Sequence, residues 1–148
     1  LRSMAQKGTI THDELAQTRL LIYGMLLKLA CQNGEESDFS AIEKNLQRMD
    51  ALIAADDMTG RMAAAIEFFD LISQSARNQV MSLIAHSLNS LLQHTVQARI
   101  EKNNPKLVYV PELDAIRWKI LEALRERDKE SAVIAMNAYI EHATHPSN

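Results

Sequence analysis

Phe69, Arg117 and Tyr139 are the residues whose types and spacing point to chemistry, because each sits inside an otherwise apolar helical stripe. Arg117 is the odd one. It lies in the row Leu113, Arg117, Ile120, Leu124, with the spacing of a core-facing helix surface. A guanidinium is not deprotonated inside a protein, so one aimed at a core needs a carboxylate, a phosphate or a bound anion. The plainer reading is an aliphatic stem that snorkels to solvent, or a charge satisfied by a local acid such as Asp114. Phe69 and Tyr139 serve equally well as core residues of a helical bundle. Five histidines, His12, His86, His94, His142 and His145, are scattered without ligand spacing. A single cysteine, Cys31, allows no thiolate cluster and no disulfide within the chain, and reads as a small core residue.

The elements that must hold these residues are helices. Four Gly and three Pro are very few, and the apolar runs recur every three or four residues, so the fold class is all-α: a single antiparallel bundle of about six helices. Thr11-His12-Asp13-Glu14 is a capping box that opens the first helix, which runs to about Cys31 and stops before Asn33-Gly34, a C-terminal signal. The second begins near Ser37 or Asp38 and turns Phe39, Ile42, Leu46, Met49, Leu52 and Ile53 inward. Asp56 or Asp57 caps the third, whose inner face is Met62, Ala65, Ile66, Phe69, Ile72 and Ala76. A long fourth helix follows Arg77-Asn78 and reaches about Ile100. Asn103-Asn104-Pro105 breaks the chain, and the stretch to Val110 reads as loop. Pro111 suits the first turn of a fifth helix over Glu112–Arg127, and Asp128 caps a sixth ending near His142, with a frayed tail beyond. Met25, Met49, Met62, Met81 and Met136 read as gap-filling core, and the Arg125–Glu130 charge cluster as a solvated helix end.

A net charge of −3 gives this domain no electrostatic footprint for nucleic acid by itself. No run approaches the roughly 18 uninterrupted apolar residues of a membrane span, and no signal peptide pattern is present, so a cytoplasmic protein is expected. No enzyme is expected either: there is no inward-facing carboxylate pair, no nucleophile triad and no Gly-rich phosphate cradle. With Leu1 first and Met4 the earliest methionine, the chain is expected to be a fragment lacking an N-terminal part.

Ile120-Leu121-Glu122-Ala123-Leu124, Asp128, Ala135-Met136 and Tyr139-Ile140 together resemble the closing helical pair of the FadR-type effector-binding domain (FCD) of GntR transcription regulators. Phe68-Phe69-x-x-Ile72-x-x-Ser75-x-x-Asn78 is similar to that family's Phe-His…Leu…Ala-Ser-Gly-Asn segment. Arg19, Ile22, Leu29-Ala30 and Cys31 fit its first helix, so the resemblance extends from about Thr11 to His142.

The resemblance implies an effector-binding and dimerisation domain over residues 1–148, a homodimer, and an N-terminal winged helix-turn-helix, missing here, that binds operator DNA. Many members hold a divalent metal through an Asp and three His. Carried onto this sequence those positions are Ala65, Phe69, Arg117 and Tyr139, so a metal-free variant with no cofactor is expected. In place of the metal, Arg19, from the row Leu15, Arg19, Ile22, Leu26, and Arg117 form a candidate clamp for a small carboxylate effector, since guanidinium pairs such groups bidentately. Tyr139 offers a hydroxyl, Phe69 an apolar wall, and Ser73 and Asn89 orienting polar groups for a hydroxy, keto or sugar acid. Asp13, on a neighbouring turn, is the acid that could compensate Arg19 locally. The alternative is a histidine phosphotransfer bundle, because His86-Ser87-Leu88-Asn89-Ser90 resembles the phosphorelay pattern His-x-Leu-Lys-Gly-Ser. Asn89 and Ser90 stand there in place of the lysine that stabilises phosphate and the glycine that leaves it room.

Overall fold

The computed structural model describes residues 10–102 and 111–144, apart from the side chains of 12, 95–102 and 144. Among the described residues six helices follow one another: α1 His12–Asn33, α2 Glu36–Ala54, α3 Met58–Ser75, α4 Gln79–Lys102, α5 Pro111–Glu126 and α6 Lys129–Thr144. There is no strand among the described residues. The expected break at Asn103-Asn104-Pro105, the loop running on to Val110 and the tail after 144 lie outside them.

Neighbours in sequence pair as hairpins, α2 with α3, α3 with α4 and α5 with α6, while α1 lies against α6 and also meets α3, α4 and α5. The central position of α1 follows from its inner stripe. Tyr23, Leu26, Leu27 and Ala30 are fully buried, with Cys31 beside them. Burial of a large apolar side chain contributes about 1.5–3 kcal/mol, so this stripe, rather than helix propensity, holds α1 in the bundle. Phe39, Ile42, Leu46 and Met49 of α2, Phe68 and Ile72 of α3, Ile120 and Leu124 of α5 and Met136 of α6 complete the core. Met25 departs from the expected core set. It is 53% exposed beside Leu21 on the outer face of α1.

Helix starts are set by side-chain caps. Thr11 Oγ1 accepts from the Glu14 amide at 3.1 Å and the Glu14 carboxylate accepts from the Thr11 amide at 3.0 Å. Asp57 accepts from the Gly60 amide, Asn78 from Met81 and Asp128 from Ser131. The second helix opens earlier than the sequence suggests because Asp38 is not its cap. Asp38 sits in the first turn and reaches back to accept from the Glu35 amide at 2.8 Å.

Helix ends were harder to read. Asp56, Arg77 and Arg127 follow α2, α3 and α5 with φ of 55°, 52° and 56°, the left-handed region in which glycine is usual. Gly34, after α1, is extended instead, with φ −63° and ψ 147°. Its requirement is space: a Cβ there would lie 2.5 Å from the Ala30 carbonyl and 2.7 Å from the Phe39 ring. Charged residues read as solvated also prove to be ties. Arg127 donates to the Cys31 and Gly34 carbonyls at 2.8 Å each, and Arg125 bridges to Glu43 at 2.7 Å and Glu36 at 2.9 Å.

Gly34→Ala is expected to destabilise the domain by about 1–3 kcal/mol, the usual cost of forcing atoms into a filled site. Urea unfolding followed by circular dichroism measures it, and an unchanged midpoint would show that Phe39 moves aside freely.

Candidate functional site

Each of the six expected site residues lies on the inner face of its helix. Arg19 (α1) is 4% exposed, Phe69 and Ser73 (α3) 3% and 4%, Asn89 (α4) 3%, Arg117 (α5) 8% and Tyr139 (α6) 4%. Four of them form one row. The Arg19 Cζ lies 4.9 Å from the Phe69 ring centroid; Phe69 meets Tyr139 edge-on at 5.3 Å; the Arg117 Cζ lies 5.3 Å from the Tyr139 centroid. The order is cation, ring, ring, cation, which suits guanidinium groups because an aromatic face carries negative charge density. Phe68 stands edge-on behind Phe69 at 5.6 Å.

Ser73 and Asn89 are nearby but occupied. Ser73 Oγ donates to the Phe69 carbonyl of its own helix at 3.0 Å. Asn89 accepts from the Tyr23 hydroxyl and donates to Asp70 Oδ1 at 2.8 Å. Tyr23, which also meets Phe69 edge-on at 5.0 Å, escaped the sequence reading although it stands one turn after Arg19. Burial pushes its hydroxyl well above the usual tyrosine range, so it stays a neutral donor. Asp70, next to Phe69, was missed too, and nothing in the local sequence pattern marks it.

The two arginines are not equivalent. Arg117 Nη1 lies 3.6 Å from Asp114 Oδ1, one turn earlier on α5, and its Nε donates to the Tyr139 hydroxyl at 3.3 Å. Asp114 is itself raised to about 6, by burial first and then by the hydrogen bond and charge of Asp50 on α2, with Arg117 acting in the opposite sense. Arg19 has no such partner. Its Nε is buried and makes no hydrogen bond, and among the described residues no carboxylate lies within ion-pair distance of it, Asp13 included. Burial lowers its pKa from the ordinary value, yet a guanidinium remains charged. Among the described residues Asn45 Oδ1 and Asp114 Oδ1 are also buried without a hydrogen bond, but Arg19 is the buried cation without an acid beside it.

The residues at the metal positions that the family resemblance implies do not fit a metal. Phe69 contributes a ring, Arg117 a cation, Ala65 a methyl and Tyr139 a phenol already bonded to Arg117. Among the described residues no three His, Cys, Asp or Glu side chains cluster as a ligand set. The phosphotransfer pattern is not assembled either. His86 is exposed, with its Nδ1 3.9 Å from Asp70, and Asn89, at the lysine position, is buried and committed to Tyr23 and Asp70. A surface groove of about 420 Å³ runs between α5 and α6, lined by Ile116, Lys119, Ala123 and Ile134 among others, and includes none of the six site residues.

An all-helical domain with a buried, acid-free arginine among aromatic rings is therefore the class that the geometry defines. The FCD domain model matches residues 14–142, and the chain belongs to that family, the class of effector-binding regulatory domain. Among solved structures it is similar to Escherichia coli McbR/YncC, with a TM-score of 0.77 and 18% identity over 88% of this chain and 64% of that one. It is also similar to Streptococcus agalactiae GntR, with a TM-score of 0.75 and 18% identity over 92% of this chain and 59% of that one. These likenesses establish the helical fold. The chain spans less than two thirds of either protein. Comparison with curated protein sequences finds no match. No helix among the described residues is long and apolar enough to cross a membrane.

The Asp114 carboxyl is expected to titrate near pH 6 by NMR, and Asp50→Asn to move the midpoint down towards the ordinary carboxylate range. The sign for stability follows from a raised value. The proton on Asp114 stabilises the fold fully below the unfolded pKa, about 3.9 for aspartate, and that contribution is lost as pH rises through the folded value. An unchanged midpoint in the variant would remove Asp50 as a cause.

Proposed function

We propose that this FCD domain is the ligand-sensing and dimerisation part of a bacterial transcription regulator of the GntR family. It binds a small carboxylate effector in the interior between Arg19 and Arg117, and occupancy modulates operator binding by an N-terminal winged helix-turn-helix domain, in the cytoplasm. The observation that carries this reading is the buried Arg19 guanidinium, whose Nε makes no hydrogen bond and which has no acid beside it among the described residues. An effector carboxylate is the missing counter-charge, Phe69 and Tyr139 are the walls, and Ser73 and Asn89 hold the surroundings rigid. Arg117, partly neutralised by Asp114, is the second prong.

A ligand that binds only the folded state stabilises it by about 2.7 kcal/mol at one hundred times its Kd. Organic acids are therefore expected to raise the melting temperature with concentration, while neutral sugars do not. Arg19→Gln should abolish the shift and Arg117→Gln weaken it, both variants keeping their helical circular dichroism. Equal stabilisation by neutral analogues, or wild-type responses from both variants, would remove the basis of the reading.

Self-association is supported by apolar residues left in solvent on two helices that pack together: Leu21 and Met25 on α1, and Val80, Leu83 and Ile84 on α4. An operator reader built on two half-sites needs such a two-fold protein. Light scattering at micromolar concentration is expected to give twice 16.7 kDa, and Leu83→Glu to shift the population to monomer. A monomer at every concentration would argue against the dimer.

A further inference from the structure

The polar groups around Arg19 are few enough to restrict what an effector can be. Asn89 spends its carbonyl on Tyr23 and its amide on Asp70, and the Ser73 hydroxyl proton goes to the backbone of α3. The Tyr139 hydroxyl accepts from Arg117 and keeps one proton of its own to donate. What remains beside Arg19 is a forked cation, the Tyr139 phenol donor, the second N–H of Asn89 and the acceptor capacity of Ser73 Oγ, with the unbonded Asp114 Oδ1 at the far end of the row; one carboxylate fills most of this, and most hydroxyls of a sugar acid are left without partners. Unpaired hydroxyls in a buried site cost binding. A second carboxylate has no open cation either, because Asp114 already faces Arg117, with Asp50 bonded to Asp114 behind it.

The walls restrict the body of the ligand. Phe69 contacts Arg19, Tyr23, Phe68 and Tyr139 at once, at 4.9, 5.0, 5.6 and 5.3 Å. Anything entering beside Arg19 interrupts this edge-to-face cluster. A flat aromatic ring restores the ring contacts it breaks, whereas an aliphatic chain restores only apolar area. On these grounds, and resting on the effector reading above, we propose that the ligand of this domain is an aromatic monocarboxylate held by Arg19, rather than a sugar acid or a dicarboxylate.

Calorimetric titration of the 148-residue chain with benzoate, phenylacetate, hexanoate, glucuronate and succinate tests the ranking directly, with benzyl alcohol as the uncharged control. The aromatic acids should bind at least tenfold more tightly than every other member of the set. Arg19→Gln should lose that binding by tenfold or more, with Arg19→Lys intermediate because it keeps the charge and loses the fork. Asp114→Asn should improve succinate several-fold, and by more than it improves the aromatic acids, since it uncovers Arg117. If glucuronate, succinate or hexanoate binds as tightly as the aromatic acids and depends on Arg19, the ligand class is wrong while the effector reading stands. If no acid depends on Arg19, both fail together. The wild-type ranking involves no variant, so a misfolded Arg19→Gln would not obscure the answer.

Discussion

A charged guanidinium held inside a helical core, with no carboxylate beside it among the described residues, dominates the interior of this protein. Stripping water from a cation costs several kcal/mol even after relaxation, and a ring face returns about 0.5–2 kcal/mol of it. The remainder must come from the packing around it. That requirement explains why aromatic residues from three helices, Tyr23 of α1, Phe68 and Phe69 of α3 and Tyr139 of α6, converge on one region of the core. It also explains why the second arginine is arranged differently. Arg117 has Asp114 within its own helix at 3.6 Å, so one cation of the row faces an acid and the other stays open.

The polar contacts near the row tie helices to each other as well as to Arg19. The hydrogen bonds from Tyr23 to Asn89 and from Asn89 to Asp70 pass from α1 to α4 to α3, and with the Ser82 hydroxyl on the Ser73 carbonyl they fix the mutual rotation of three helices whose packing is otherwise largely apolar. Apolar packing tolerates small rotations, whereas a buried polar chain with every member satisfied does not. The orientation of Phe69, between Asp70 and the ring cluster, follows from this.

Most of the fold was legible because caps and stripes are local signals. Thr11, Asp57, Asn78 and Asp128 start helices through bonds to amides three residues on, and a polar residue in a row of period three or four stands out, as Arg19 and Arg117 do. Helix ends were less legible where Asp56 and Arg127 adopt the left-handed conformation without being glycine, and Gly34 misled because its smallness answers to Phe39 rather than to its own φ. Within the site, Arg19, Phe69, Arg117 and Tyr139 could be named from their rows and from the family pattern. Tyr23 could not, since a tyrosine in an apolar stripe looks like ordinary core until its hydroxyl is seen to meet Asn89. Nor could the inequality of the two arginines be read in advance. It depends on which local acid reaches its arginine: Asp114 lies 3.6 Å from Arg117, while Asp13 is not within ion-pair distance of Arg19. Met25 faced solvent because the period of α1 places it with Leu21, away from the Tyr23 side.

The bundle is closed by its extremes: α1, the first helix, lies along α6, the last, and Arg127 joins the carbonyl of Cys31 across 96 positions of chain. A helical bundle with only hairpin contacts has low contact order and folds quickly. Here the central helix finds its main partner only after the five others have been made, and a larger loop must be closed, each doubling of which adds about 0.6 kcal/mol of entropy. During synthesis α1 therefore waits, its apolar stripe unmatched, until the ribosome has released α6. With the start of α1 and the end of α6 brought to the same end of the bundle, the topology is that of a ring cut once, and the cut could lie elsewhere without altering what packs against what.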